Sequence, residues 1–235
     1  RLKCPRFAEV NQPQRGGPQR IPRPDNWALG NPAPWPRTAA VDLDTLERRL
    51  FTRTPGYQQT GAPPPKRHSA VLIALYSNPE PTVVLTRRTQ QMRAHSGEVS
   101  FPGGGQDPGE SLWDTACREA REEIRLDTSL VHKIGELDHL TTVSSQARIV
   151  PYVARLSQPP SMTANPDEVD EILCVPLSEF LLPGVYREER WQWPGSNQER
   201  PVYFFDLLGD TVWGATANLL RQLLITALGL SEHTK

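Results

Sequence analysis

The chain is short of several things, and each shortage excludes a class of protein. No apolar run approaches the ~18 residues that suggest a membrane span. The N-terminus has no apolar core of a secretory signal, and the last residues, Glu232-His233-Thr234-Lys235, are not a peroxisomal address. Charge of either sign is not in surplus: the net charge is -1, so no global field draws the chain to nucleic acid or to a membrane surface. Cysteine is scarce. Cys4, Cys117 and Cys174 are far apart and have no metal spacing, which reads as three reduced thiols in a cytoplasmic protein. An initiator Met is also lacking, because Arg1 opens the chain, and a shortened form is expected. No internal repeat is visible.

Proline is abundant but uneven. Half of the 24 prolines fall before residue 66. Residues 1–37 hold eight of them with few apolar residues between, so this stretch buries little surface to offset its ordering entropy. It reads as an arm, disordered or wrapped on the domain. Extended proline segments are ready ligands for partners, but no motif here names one. The expected division is an arm over 1–65, with a short helix at about 42–53 on Leu43, Leu46 and Leu50, and a domain over 66–235.

Within that domain, strands are predicted at 69–76, 82–86, 98–101, 131–137, 147–156, 171–175 and 201–207. Helices are predicted at about 111–125 and 213–228, the latter on Leu219, Leu220, Leu223, Leu224 and Ala227. Mixed strands, two helices and no regular βαβ alternation give an α+β protein, an α/β/α sandwich around a mixed sheet.

The chemistry sits on the first of these helices. Trp113, Cys117, Ala120 and Ile124 form an expected core stripe. Glu119, Glu122 and Glu123 share another face. Three like charges there destabilise a helix by a few tenths of a kcal/mol per pair, about 0.2–0.5. A hard divalent cation reverses that sign, since Mg²⁺ takes oxygen ligands and bridges carboxylates to phosphates. Arg118, four residues before Glu122, can hold it in place. Alone, such a face is more often simply solvated.

The surrounding pattern argues otherwise. Gly104, five residues, Glu110, seven residues, Arg118-Glu119, Ala120, Arg121, Glu122-Glu123, Ile124, Arg125, Leu126 resembles the Nudix box. One position departs: Arg125 stands where the box has its second glycine, which suits a left-handed helix cap. A changed helix end is expected there, without loss of a metal ligand. The resemblance implies a Nudix fold and a pyrophosphate hydrolase using Mg²⁺ or Mn²⁺. It implies Glu119, Glu122 and Glu123 as ligands with the Gly104 carbonyl, Arg118 as their orienter, and Glu110 as structural or reaching metal through water. It also allows Glu168, in an acidic loop after the box, as general base or extra ligand. A solvated acidic loop is the alternative.

The preceding run, Leu85-Thr86-Arg87-Arg88 through Met92-Arg93-Ala94-His95-Ser96-Gly97 to Phe101-Pro102-Gly103-Gly104, is similar to the coenzyme A pyrophosphatase signature. So are Val202–Asp206 and Val212-Trp213-Gly214-Ala215-Thr216-Ala217. The seven-residue spacing and Glu110 follow the general box, where that subfamily often has eight and Asp. The implied substrate is coenzyme A or a derivative, split to 4′-phosphopantetheine and adenosine 3′,5′-bisphosphate. Arg87, Arg88 and Arg93 would answer its 3′-phosphate, unless they face solvent or pair with acids. His95 would bind substrate or its own loop, and Met92 is expected in the core. The alternatives are ADP-ribose, NADH or a modified nucleoside triphosphate, and a non-catalytic nucleotide-binding module. No nucleic acid or membrane partner is expected, and the assembly is left open to a homodimer.

Overall fold

The structure is a computed structural model describing residues 15–58, 65, 67–90, 96–142, 147–195 and 197–231. In chain order the strands are β1 (Trp27–Leu29), β2 (Tyr57–Gln58), β3 (Arg67–Ser77), β4 (Pro81–Arg88), β5 (Val99–Ser100), β6 (Gly103–Gly105), β7 (Val131–Glu136), β8 (His139–Thr141), β9 (Ala147–Leu156), β10 (Val169–Pro176), β11 (Tyr186–Gln192), β12 (Glu199–Asp206) and β13 (Thr211–Trp213). The helices are α1 (Leu43–Phe51), α2 (Leu112–Ile124), α3 (Leu177–Phe180) and α4 (Gly214–Leu228).

β3 is long, apolar and β-rich, and it organises the large sheet. It runs parallel to β9 and antiparallel to β4 and β6, so the sheet is mixed. Its side chains alternate between two cores, as a pleated strand requires. Ala70, Leu72, Ala74 and Tyr76 pack with Ala116, Ala120 and Ile124 of α2. Ile73 and Leu75 pack on the other face with Leu46 and Leu50 of α1 and Leu220, Leu223 and Leu224 of α4. Helices therefore cover both faces of the sheet, which is the expected sandwich.

Three findings differ from the sequence reading, and a fourth, the course of the proline-rich stretch, takes the wrapped alternative that the reading left open. There is a second sheet of order β1-β11-β12-β13. Strand β11 (Tyr-Arg-Glu-Glu-Arg-Trp-Gln) has no apolar alternation to announce it. Its buried Glu188 and Glu189 are tolerated because Arg190 and Arg187 neutralise them and Arg23 reaches in from the arm. From residue 15 onward, the proline-rich stretch lies on this sheet, with β1 antiparallel to β11 and Trp35 buried. On α2 the core stripe is rotated: Ala116, Ala120 and Ile124 are buried, Cys117 and Trp113 only half-buried, and Glu123 is buried with the apolar residues. Finally, the end of α2 is not altered by Arg125. Arg125 adopts the left-handed conformation itself (φ 52°, ψ 35°), and its N–H bonds the carbonyls of Ala120 and Arg121. The cap geometry is imposed by the helix and the buried Leu126 beyond it, so the arginine accepts the strain.

Among the described residues, no helix is long and apolar enough to cross a membrane.

Candidate active site

Three local features bring the box together. Antiparallel pairing of β6 with β3 sets Gly104 opposite Ala70. Ser111 then caps α2, its hydroxyl accepting the Asp114 N–H at 3.1 Å. The α2 face that carries the glutamates thereby lies against β6. There the Gly104 backbone and the Glu119 carboxylate meet so closely that a Cβ on residue 104 would stand 2.5 Å from Glu119 Cδ.

Arg118 is the hub. Its Nε and Nη2 donate to the two oxygens of Glu110 at 3.0 and 3.2 Å, a bidentate pair. Its Nη1 donates to Glu119 Oε1 and Glu122 Oε2, both at 2.9 Å, and Nη2 also reaches the Gly105 carbonyl. Glu110 further accepts from the Thr115 hydroxyl at 2.8 Å. The Arg118 guanidinium, with these bonds, holds the Glu110 carboxyl down at about 2. Glu110 is thus a permanent anion that fixes Arg118.

The other two inward glutamates are driven the opposite way. Burial pushes Glu119 above the ordinary carboxylate range, with like charge from Glu122 and Glu168 adding to it and Arg118 opposing. Burial pushes Glu123 up to about 8, with Glu119 and Glu168 again adding. Arg88 and the Gly103 N–H oppose, at 3.5 and 3.2 Å from its two oxygens. The site is an anionic cluster short of positive charge.

Among the described residues, no three acidic, His or Cys side chains converge into a ready-made cation cage. Arg118 sits among the glutamates instead. The donor set is nonetheless suited to a hard cation. It is all oxygen, it is repelled by its own charge, and the bare Cα of Gly104 lets the Glu119 carboxylate lie directly against the backbone.

The remaining expected residues are distributed as follows. Glu168 is half-buried, and its charge acts on Glu119 and Glu123; its carbonyl accepts the Thr89 N–H at 3.0 Å. Arg88 lies beside Glu123, with its Nε buried and unpartnered. Arg87 is held by acids: bidentate to Asp210 at 2.8 and 2.6 Å, and to Glu171 at 2.6 Å. Met92, Arg93 and His95 lie outside the described residues. The sequence reading passed over Asp210 and Gln19, which sit at the base of the loop leading to β5. Nothing in their neighbours along the chain marks them, because their partners are contributed by distant segments.

A family model described as the NUDIX domain matches residues 66–193. The uncharacterized Nudix hydrolase NudL of Photorhabdus laumondii subsp. laumondii is 39% identical over 168 residues, covering 68% of this chain and 88% of that protein. The protein of the same name from Yersinia enterocolitica is 38% identical over 160 residues, covering 66% and 79%. A crystal structure of a MutT/nudix family protein from Enterococcus faecalis aligns at 16% identity and TM-score 0.44, over 77% of this chain and 67% of that one. A superposition that loose does not bear on the site.

Proposed function

Because this chain belongs to the Nudix hydrolase family, whose members act on pyrophosphate bonds, we propose that its substrate is coenzyme A or a derivative, cleaved to 4′-phosphopantetheine and adenosine 3′,5′-bisphosphate. The observation that carries this reading is the run from Leu85 to Gly104, which ends in Phe101-Pro102-Gly103-Gly104 directly before the box. It is supported by the packing of β13 against β5, which sets the Trp213-Gly214 motif beside that run although the two are distant in sequence.

The cofactor is Mg²⁺ or Mn²⁺. Glu119, Glu122 and Glu123 would hold it, with the Gly104 carbonyl. When bound, the metal neutralises pyrophosphate charge and acidifies water. The protein groups do the rest. Arg118, fixed by Glu110, orients Glu119 and Glu122. Arg88 offers charge-assisted hydrogen bonds to a substrate phosphate. Glu168 accepts the proton of the attacking water as its oxygen bonds to phosphorus and the bridging P–O bond breaks, the leaving phosphate taking the electron pair. Arg93 is assigned to the substrate's 3′-phosphate, and His95 to the substrate or to the backbone of its own loop. Arg87, already engaged by carboxylates, is assigned to positioning β4.

The test is to incubate the protein with Mg²⁺ and, separately, coenzyme A, acyl-coenzyme A, ADP-ribose, NADH and nucleoside triphosphates. Products are then identified by mass spectrometry. The expected result is 4′-phosphopantetheine from coenzyme A. Turnover of ADP-ribose or NADH without turnover of coenzyme A overturns the substrate, and no turnover of any of them points to a binding module.

A further inference from the structure

Gln19 precedes the family-matched region, yet its side chain is buried at the edge of the candidate site. Its Nε2 donates to the Gly97 carbonyl at 3.1 Å and to Asp210 Oδ1 at 2.7 Å. Its Oε1 accepts the Thr211 N–H at 2.8 Å. Both amide hydrogens and the carbonyl are therefore used, on partners 78, 191 and 192 residues away. Two of those partners lead inward. Asp210 grips Arg87, the neighbour of Arg88, which faces Glu123. Gly97 closes the base of the loop that joins β4 to β5: its N–H bonds the Arg88 carbonyl at 3.2 Å, and the Arg88 N–H bonds the Glu98 carbonyl at 3.0 Å. The next residue, Thr89, holds the Glu168 carbonyl at 3.0 Å.

We propose that Gln19 is a positioning residue, whose amide ties the loop base at Arg88–Gly97 and the Asp210–Arg87 pair into one unit and so sets Arg88 against the substrate phosphate. The claim rests on the hydrolase reading above. The backbone around Gln19 is docked without its side chain: Gly16 N–H bonds the Leu207 carbonyl at 2.7 Å, and Gly17 N–H bonds Thr211 Oγ1 at 3.2 Å. Removing the amide therefore releases the loop base and leaves the arm in place. What is lost is alignment of groups that meet the substrate, so binding should suffer before chemistry.

The experiment compares Gln19→Ala and Gln19→Glu with Asn26→Ala, a control on the same arm whose side chain bonds Gln192 of β11. Gln19→Glu keeps shape and acceptor, removes both donors and sets a carboxylate beside Asp210, so it remains informative if the alanine variant folds poorly. With Mg²⁺ and coenzyme A, both Gln19 variants should raise KM about 3–10-fold, the worth of one or two hydrogen bonds, with kcat within about twofold. Asn26→Ala should leave both constants unchanged. Hydrogen exchange should quicken at the Gly97 and Thr211 amides in the Gln19 variants and stay as in the parent within α4. An unchanged KM, unchanged exchange at Gly97, or an equal KM rise in Asn26→Ala overturns the proposal. If the parent protein turns over no coenzyme A, the substrate reading has failed, and the exchange measurement alone decides whether Gln19 sets the loop base.

Discussion

The Glu119 carboxylate lies against the bare Cα of Gly104, where an added Cβ would stand 2.5 Å from Cδ and 2.8 Å from Oε2. Glu119 is held in that position by Arg118. A methyl group at 104 cannot be accommodated unless the carboxylate moves. Gly104→Ala is expected to lower kcat/KM by about 10–100-fold, the scale of effects when a metal ligand is misplaced. Far-UV circular dichroism should be unchanged, and titration calorimetry should show weakened Mg²⁺ binding. Parental activity in this variant would remove Glu119 from the metal site.

Arg125 carries the strain of a left-handed cap that a glycine would relieve. The left-handed region costs an L-residue about 1–2 kcal/mol. Part of that gain is returned because glycine loses more entropy on folding. Arg125→Gly should raise stability by about 0.5–1 kcal/mol and Tm by about 2 °C, with activity unchanged. Thermal unfolding at fixed pH measures it, and a fall in Tm would mean that the Arg125 side chain contributes contacts outweighing the strain.

Glu123 titrates at about 8 in the fold against 4.5 for an ordinary glutamate. Between those values the folded state keeps a proton that the unfolded chain has released. Its contribution to stability is fully present below about 4.5 and is lost as pH rises through about 8. Metal-free protein should therefore show a falling Tm over that window. Glu123→Gln, which cannot ionise, should flatten the fall, and added Mg²⁺ should offset it by favouring the ionised carboxylate. Equal slopes in parent and variant would refute the assignment.

Glu168 acts electrostatically on both Glu119 and Glu123 and is within half-exposed reach of solvent. As general base its loss should cost about 10²–10⁴-fold in kcat. Glu168→Gln with unchanged kcat would remove it from the mechanism, and steady-state kinetics at saturating Mg²⁺ separates the outcomes.

Much of this protein was legible along the chain because its signals are local. The glutamates of α2 announce themselves through helical spacing. The long strands β3, β4 and β9 do so through runs of apolar residues, and α4 through its leucine stripe. The four-stranded sheet was not legible. Its strand β11 buries Glu188 and Glu189, and a buried charge is read correctly only when its partner is known. Those partners include Arg23, 166 residues away from Glu189. The same reason hid Gln19 and Asp210.

The sequence by itself determined the family, the glutamate-bearing helix and the order of the main elements, since each rests on residues within a few turns or strands of one another. Only the tertiary structure decided that Glu123 is buried and short of counter-charge, and that Arg125 accepts the cap conformation. It likewise decided that Arg87 is engaged by Asp210 and Glu171, and that the arm reaches the loop base through Gln19. Each of these depends on which distant groups share a low-dielectric space, and that sharing is fixed by packing.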